Sequence, residues 1–178
     1  MVLFCLTEAM LFAYLLASYL YVAVANREWP PPGFELPKLQ LPLIMTALLL
    51  SSSGAAIWAE KGIERDERGR FRIGLLVAFG LGAAFLVLQM REYAEKLQHM
   101  GPREHAYVSL FFTITGFHGV HVAFGLVLML YLGLRSLLGH FDAHRHLAVK
   151  NVFLYWHTVD GVWLAILTAI YLSPQFYR

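Results

Sequence analysis

Long apolar stretches that are nearly free of charged residues make up most of the sequence. Five of them are long enough to cross a bilayer, because a hydrocarbon core about 30 Å thick needs roughly 20 apolar residues in a helix. One such stretch is compatible with a buried helix of a soluble protein, but five in a chain of 178 residues are not. The sequence therefore predicts an all-α integral membrane protein, a single bundle of five transmembrane helices. The predicted spans are about residues 2–25, 39–59, 73–93, 106–134 and 152–172.

Composition supports the membrane interpretation. Hydrophobic residues make up 58% and charged residues 15%, against about 45–50% and 25% in soluble domains. A disordered chain is excluded, because disorder requires low hydrophobicity and high net charge. The formal net charge is only +2, so nucleic acid is not an expected partner. Cys5 is the one cysteine, which excludes an intrachain disulfide and a cysteine-based metal site.

The connections between the spans predict an orientation. Five spans place the two termini on opposite sides of the membrane. Lys and Arg are more numerous in segments 60–72 and 135–150 than on the other side. The positive-inside rule then predicts that the N-terminus lies inside and the C-terminus outside. The first connection, 26–41, is rich in proline, which predicts a stiff, extended loop with Trp29 and Phe34 at the level of the lipid headgroups.

Two carboxylic acids and three histidines lie in the interior of the predicted spans, where a charge costs roughly 2.5–3.5 kcal/mol on insertion scales. Glu8 is either a carboxyl group near the interface that water reaches, or a functional carboxyl group paired with a neighbouring helix. His118 and His121 lie three residues apart on one helix face. They are either ligands of haem or another metal or hydrogen-bonding residues between helices. His157 and Asp160 have the same spacing on the fifth helix and can contact each other.

Two further observations bear on these residues. Gly116 and Gly119 make the fourth helix thin beside its histidines, which favours hydrogen bonding between closely packed helices over metal ligation. The helix directions place Glu8, His121, His157 and Asp160 at related depths in the membrane. The sequence therefore predicts that these four side chains form one polar cluster.

Two motifs resemble the signature of subunit III of haem–copper terminal oxidases, the cytochrome c and quinol oxidases. One runs from Phe111 through Thr115-Gly116-Phe117-His118-Gly119-Val120-His121 to Gly125; the other is Tyr155-Trp156-His157-Thr158-Val159-Asp160-Gly161-Val162-Trp163. In the second motif, Thr158 and Gly161 depart from the family pattern. The resemblance extends along the chain through the region of Glu8, then Leu41-Pro42-Leu43 with Thr46, then Gly80 to Phe85 with Gln89, Glu92 and Tyr93. The chain resembles the five-helix form, which lacks the first two helices of longer members and leaves their lipid-binding cleft incomplete.

The resemblance implies a non-catalytic subunit of a complex that reduces O₂ to water and pumps protons across a bacterial cytoplasmic membrane. Haem and copper are then expected in the partner subunits I and II. This chain is expected to contain no catalytic residue, cofactor or metal ligand. Bound phospholipid is expected. His118, His121, His157 and Asp160 become structural, lipid-contacting or carboxyl-contacting residues, and Glu8 becomes a carboxyl group that modulates proton uptake and subunit stability. The expected role is to stabilise the catalytic subunit and to support its proton uptake.

Other functions remain open from the sequence. An accessory subunit of a nitric oxide reductase would share the same motifs and differ only in its partner. A stand-alone haem b protein would use the membrane histidines as ligands and would show a haem absorption band in the isolated chain. A small transporter is less consistent with the sequence, which shows neither an inverted repeat nor a pair of proline-broken helices.

Overall fold

Five long helices form the protein in the computed structural model, which describes residues 1–26, 29, 31, 39–99 and 105–175. Within these ranges no strand occurs, and each helix is long and apolar enough to cross a membrane. The predicted all-α membrane architecture is therefore confirmed. The helices are α1 (Val2–Ala25), α2 (Gln40–Glu64), α3 (Arg68–His99), α4 (Ala106–Leu137) and α5 (Leu147–Ile166). A π-helical turn, Leu167–Leu172, and a 3₁₀ turn, Ser173–Gln175, continue α5.

Several helices extend beyond the predicted spans. The largest difference is in α3, which begins at Arg68 and ends at His99, whereas the apolar stretch covers only 73–93. The reason is that hydropathy reports which residues suit hydrocarbon, while the backbone hydrogen bonds of a helix continue through charged residues in water. α2 likewise continues through charged residues as far as Glu64.

Helices α2 and α3 form a tightly packed hairpin. The turn between them uses Asp66 at φ 58°, a left-handed conformation that a short polar residue tolerates. A Cβ atom at Gly74 would lie 2.8 Å from the Cβ of Ala59, so the glycine lets the two helix backbones approach closely. α4 packs against α3, α5 packs against both α4 and α2, and α1 rests on α4 and α5. α5 is accordingly the most enclosed helix, and α1 the most exposed.

Two tryptophans of α5 fill the centre of the bundle. The Trp156 and Trp163 indoles are fully buried, and each donates a hydrogen bond of 2.9 Å to a hydroxyl group of α2, on Ser52 and Thr46 respectively. The Trp156 ring packs closely against two glycines: a Cβ atom at Gly82 or at Gly125 would lie 2.7 Å from the nearest ring atom. Small residues on α3 and α4 therefore make room for a large ring on α5.

Trp29 packs against the protein instead of being open to its surroundings. Its side chain is buried and donates a 3.0 Å hydrogen bond from the indole nitrogen to the hydroxyl of Tyr19. Its ring also contacts Tyr107 edge-on. The hydrogen bond to Tyr19 and the ring contact with Tyr107 thus hold the first connection against α1 and α4. The predicted position of Phe34, and most of segment 26–41, lie outside the described residues.

Candidate functional site

A carboxyl group and an imidazole meet between α1 and α4. The Oε2 atom of Glu8 lies 2.9 Å from Nε2 of His121. Their side chains are 23% and 16% exposed, so the contact is largely shielded by the protein. The other imidazole nitrogen, Nδ1, lies 2.7 Å from the backbone carbonyl oxygen of Phe117 one turn earlier in α4. The hydroxyl of Tyr155 donates to the carbonyl oxygen of His121 from α5.

This geometry determines how the pair shares its protons. A carbonyl oxygen only accepts, so Nδ1 of His121 must carry a proton. Nε2 then faces Glu8 in one of two ways: a neutral carboxyl group donates to bare Nε2, or a protonated imidazole donates to a carboxylate. Both arrangements hold one proton between the two groups and have no net charge. A pair that shares one proton in either way avoids placing net charge in hydrocarbon.

A second polar group joins α5 to α2. Ser53 Oγ donates to the Oδ2 atom of Asp160 and lies 2.7 Å from Nδ1 of His157. Asp160 is only 5% exposed, and its Oδ1 atom has no hydrogen-bond partner among the described residues. A single hydroxyl group thus bridges the two ionisable residues of α5. Its position on α2 could not be inferred from the spacing within α5.

His118 stands apart from both groups. It is fully buried, and neither ring nitrogen has a hydrogen-bond partner within the described residues. Its ring lies among those of Phe12, Phe85 and Trp163, with centroids 6.3, 5.7 and 5.2 Å away. Both nitrogens are enclosed, so a metal or haem iron could reach either of them only if neighbouring side chains moved aside.

The structure divides the residues of the expected polar cluster into two hydrogen-bonded groups. Hydrogen bonds connect Glu8 with His121 and, separately, His157 and Asp160 through Ser53, and among the described residues none joins the two groups. The physical reason is that α4 and α5 present these residues to different neighbours, α1 and α2. Related depth in the membrane did not mean a shared face. Among the described residues, no group of three or more His, Cys, Asp or Glu side chains is placed to hold a metal ion.

A third polar group was not predicted as a site. Lys96 Nζ lies 2.8 Å from Oε1 of Glu92 on α3, and the hydroxyl of Tyr171 donates to the same carboxylate at 3.1 Å. The ammonium group also lies 3.7 Å from the ring centroid of Phe111. The four-residue spacing of Glu92 and Lys96 is the sequence signal that indicates this pair. Nothing local in the sequence indicates Tyr171, which the π-helical turn carries to α3.

Outside the membrane, the connection between α4 and α5 is closed by Asp142. Its Oδ1 atom accepts hydrogen bonds from the backbone nitrogens of His144 and Arg145, at 2.9 and 2.8 Å. These donors hold the pKa of the Asp142 carboxyl group below its usual range, with the His144 amide as the largest cause. The carboxylate is exposed and shapes the turn rather than a pocket.

The fold and its polar contacts define a class: a polytopic all-α membrane protein whose helices are joined by hydrogen bonds between buried side chains. Comparison with known proteins defines the family. The family profile described as cytochrome c oxidase subunit III matches residues 1–174. The chain belongs to this family, which confirms the resemblance seen in its motifs.

Individual relatives agree with the family profile. Cytochrome c oxidase subunit 3 of Thermostichus vulcanus is 34% identical over 174 residues, which cover 97% of this chain and 85% of that protein. The subunit 3 of Mus musculus is 35% identical over 177 residues, and that of Equus caballus 33%. Both matches cover 96% of this chain but only 67% of the mammalian protein. A third of each mammalian relative therefore has no counterpart in this chain.

Proposed function

We propose that the chain is the non-catalytic subunit III of a respiratory haem–copper oxidase that reduces O₂ to water and pumps protons. The match to the subunit III family over residues 1–174 carries the proposal. Haem and copper belong to subunits I and II, with which the chain assembles. The complex lies in a bacterial cytoplasmic membrane, with the N-terminus of this chain inside and its C-terminus outside.

The Glu8–His121 pair suits a role in proton uptake. It lies within two membrane-spanning helices, where a carboxyl group and an imidazole 2.9 Å apart can share one proton without net charge. Such a pair can exchange that proton with the catalytic subunit's uptake path, or keep an acidic group close to it, at little electrostatic cost. The exposed apolar side chains along α1, which include Leu3, Tyr14 and Val24, support the proposal that phospholipid binds beside this pair.

Purification of the tagged chain in mild detergent, followed by a redox difference spectrum, tests the assembly. We expect two larger subunits, high-spin haem and cytochrome-driven or quinol-driven O₂ consumption. Co-purified haem and non-haem iron with nitric oxide turnover would instead assign the chain to a nitric oxide reductase. A haem band in the chain without any partner would overturn the accessory role. Replacement of His118, His121 and His157 by Ala, one at a time, would then identify the histidine ligand.

Replacement of Glu8 tests the proton role. Glu8→Gln keeps a hydrogen-bonding side chain opposite His121 but cannot carry the shared proton. We expect the complex to assemble, and its turnover or its lifetime during turnover to fall. Thr7→Val is the matched control, since the Thr7 hydroxyl donates only to the carbonyl oxygen of Phe4 in its own helix. Unchanged turnover and inactivation kinetics in Glu8→Gln would refute the role of this carboxyl group.

A further inference from the structure

A carboxyl group, a hydroxyl group and an imidazole form a continuous line between α5 and α2. Asp160 on α5 is only 5% exposed. The hydroxyl oxygen of Ser53 on α2 contacts the Oδ2 atom of Asp160 and lies 2.7 Å from Nδ1 of His157. Ser53 and His157 are both half-buried. The line therefore joins an enclosed carboxyl group to two side chains that are partly open to the surroundings of the bundle.

The contacts of Asp160 suit a neutral carboxyl group. A carboxylate accepts hydrogen bonds through both of its oxygens, but Oδ1 of Asp160 is enclosed and has no partner among the described residues. Within the same residues, Asp160 belongs to none of the ion pairs. A neutral carboxyl group needs one acceptor for its O–H hydrogen, and the Ser53 hydroxyl oxygen can supply it. The neutral form also avoids an unpaired charge inside a membrane span.

The heavy-atom positions allow the hydrogen bonds of the line to run in either direction, because they do not fix the hydrogens. With a neutral carboxyl group, Asp160 donates to Ser53 Oγ, the hydroxyl donates to Nδ1 of His157, and Nε2 carries the imidazole hydrogen. With a carboxylate, Nδ1 donates to Ser53, and Ser53 donates to Asp160. A hydroxyl group both accepts and donates, so it can receive a proton on one side and release its own hydrogen on the other.

We propose that these three side chains form a proton relay, in which the Asp160 carboxyl group stores one proton and exchanges it through Ser53 and then His157. On release, the Asp160 O–H bond breaks, and its proton forms a new O–H bond on Ser53. The former Ser53 hydrogen moves to Nδ1, and the proton on Nε2 passes to water. Uptake is the reverse, so Ser53 is unchanged after each transfer and one proton moves along the line. This relay goes beyond the proposed subunit role and does not depend on which complex the chain joins.

Charged residues of the same two helices indicate that water lies close to the relay. Lys150 on α5 and Glu64 on α2 form an exposed ion pair, 2.8 Å apart. His157 follows Lys150 by seven residues, about 10 Å along the helix at 1.5 Å per residue. Asp, Glu and His in membrane spans are typical of proton relays. A partly open imidazole two helical turns from this ion pair is therefore positioned to exchange protons with water.

Infrared spectroscopy tests whether Asp160 stores a proton. The tagged full chain is purified in mild detergent together with the subunits that accompany it, and its spectrum near neutral pH is compared with that of Asp160→Asn. We expect the wild type alone to show the carbonyl stretch of one additional neutral carboxyl group. A shift of the same band in Ser53→Ala identifies it independently, because the hydroxyl partner is then lost. A wild-type spectrum without such a band would overturn the proposal.

Transfer into D₂O tests whether the stored proton passes through Ser53. The carbonyl stretch of a neutral carboxyl group shifts when deuterium replaces its proton, so the shift gives the exchange rate. Ser53→Ala should slow the exchange of Asp160 about 100-fold, the lower end of what a positioned proton carrier contributes to a transfer. Ser53→Thr keeps a hydroxyl group and should restore most of the rate. Ser51→Ala is the matched control, because it removes an exposed hydroxyl group from the same helix.

Replacement of His157 tests the other end of the relay. His157→Gln keeps a polar side chain beside Ser53 but cannot take up a proton, so the exchange of Asp160 should slow as it does in Ser53→Ala. Thermal midpoints close to that of the wild type show that the variants fold. A wild-type exchange rate in folded Ser53→Ala or folded His157→Gln would overturn the relay, since a purely structural hydrogen bond affects stability without controlling exchange. Equal rates in Ser53→Ala and Ser53→Thr would also overturn it.

Discussion

A single methyl group added at Gly82 should leave the bundle less stable than the same group added at Gly80. In Gly82→Ala, the new Cβ atom would lie 2.7 and 2.8 Å from the Trp156 ring and 3.0 Å from a methyl group of Leu126. The ring has little room to move, because a Cβ atom at Gly125 would lie at a similar distance from two other atoms of the same ring and Ser52 accepts its indole hydrogen. Overpacking of this kind costs about 1–3 kcal/mol.

Gly80→Ala isolates that cost. Gly80 lies two residues earlier on the same helix, and an added Cβ atom there would meet open space. Both substitutions gain the helix propensity of alanine over glycine, about 1 kcal/mol. This gain cancels in the comparison, so the difference between the two variants is the overpacking cost alone. Gly80→Ala should therefore stabilise the chain, and Gly82→Ala should be about 1–3 kcal/mol less stable than Gly80→Ala.

Thermal unfolding in detergent measures the difference. The assay follows the reaction of a thiol-specific fluorescent dye with Cys5, the one cysteine of the chain, which is buried in the folded protein. At about 2–4 °C per kcal/mol for a chain of this size, the two midpoints should differ by several degrees. Equal midpoints for Gly80→Ala and Gly82→Ala would refute the close packing around Trp156. A smaller effect of Gly82→Ala in a Trp156→Phe background would identify the indole as the atom group that clashes.

Three further contacts give independent predictions. Lys96→Met leaves the buried Glu92 carboxylate without its cation and should destabilise the chain by up to about 3 kcal/mol. The double variant with Glu92→Gln should recover most of this stability in the same dye assay. No recovery would mean that the two side chains do not interact. Trp29→Phe removes the indole hydrogen bond to Tyr19 and should cost about 1 kcal/mol, whereas an unchanged midpoint would contradict the bond. Asp142 has a lowered pKa, so its contribution is complete above the pKa of the unfolded chain and is lost as the pH falls through its folded value. Hydrogen exchange of the two amides that it accepts should therefore lose protection, beyond the intrinsic pH dependence, at acid pH in the wild type but not in Asp142→Ala.

The helices could be predicted from the sequence because the signal for them is local. An apolar stretch of sufficient length specifies a membrane-spanning helix whatever its neighbours are. The ends of α3 were not predicted, because charged residues such as Arg68 and Lys96 continue the helix into water. The position of Trp29 was not predicted either. Its orientation depends on a hydroxyl group of α1 that becomes a neighbour only after folding.

The polar residues could be found from the sequence, but their partners could not. A charged side chain in hydrocarbon costs free energy, so an ionisable residue in an apolar span needs an explanation. Glu8 and Asp160 were identified in this way. The Ser53–Asp160 contact joins positions 107 residues apart, and the Glu8–His121 contact joins positions 113 apart. Such pairs depend on which helices pack together. Helical spacing and membrane depth do not indicate which helices pack together.

The polar pairs also explain how so apolar a chain reaches one arrangement. Lipid chains are as apolar as leucine, so apolar helix faces gain little by choosing one neighbour over another. An interhelical hydrogen bond adds on average only about 0.6 kcal/mol, whereas a charged side chain left in hydrocarbon costs roughly 2.5–3.5 kcal/mol. Wrong helix pairings are therefore disfavoured mainly by the polar groups that they would strand. The Glu8–His121 contact favours the packing of α1 on α4. The Ser53–Asp160 contact favours the packing of α5 on α2.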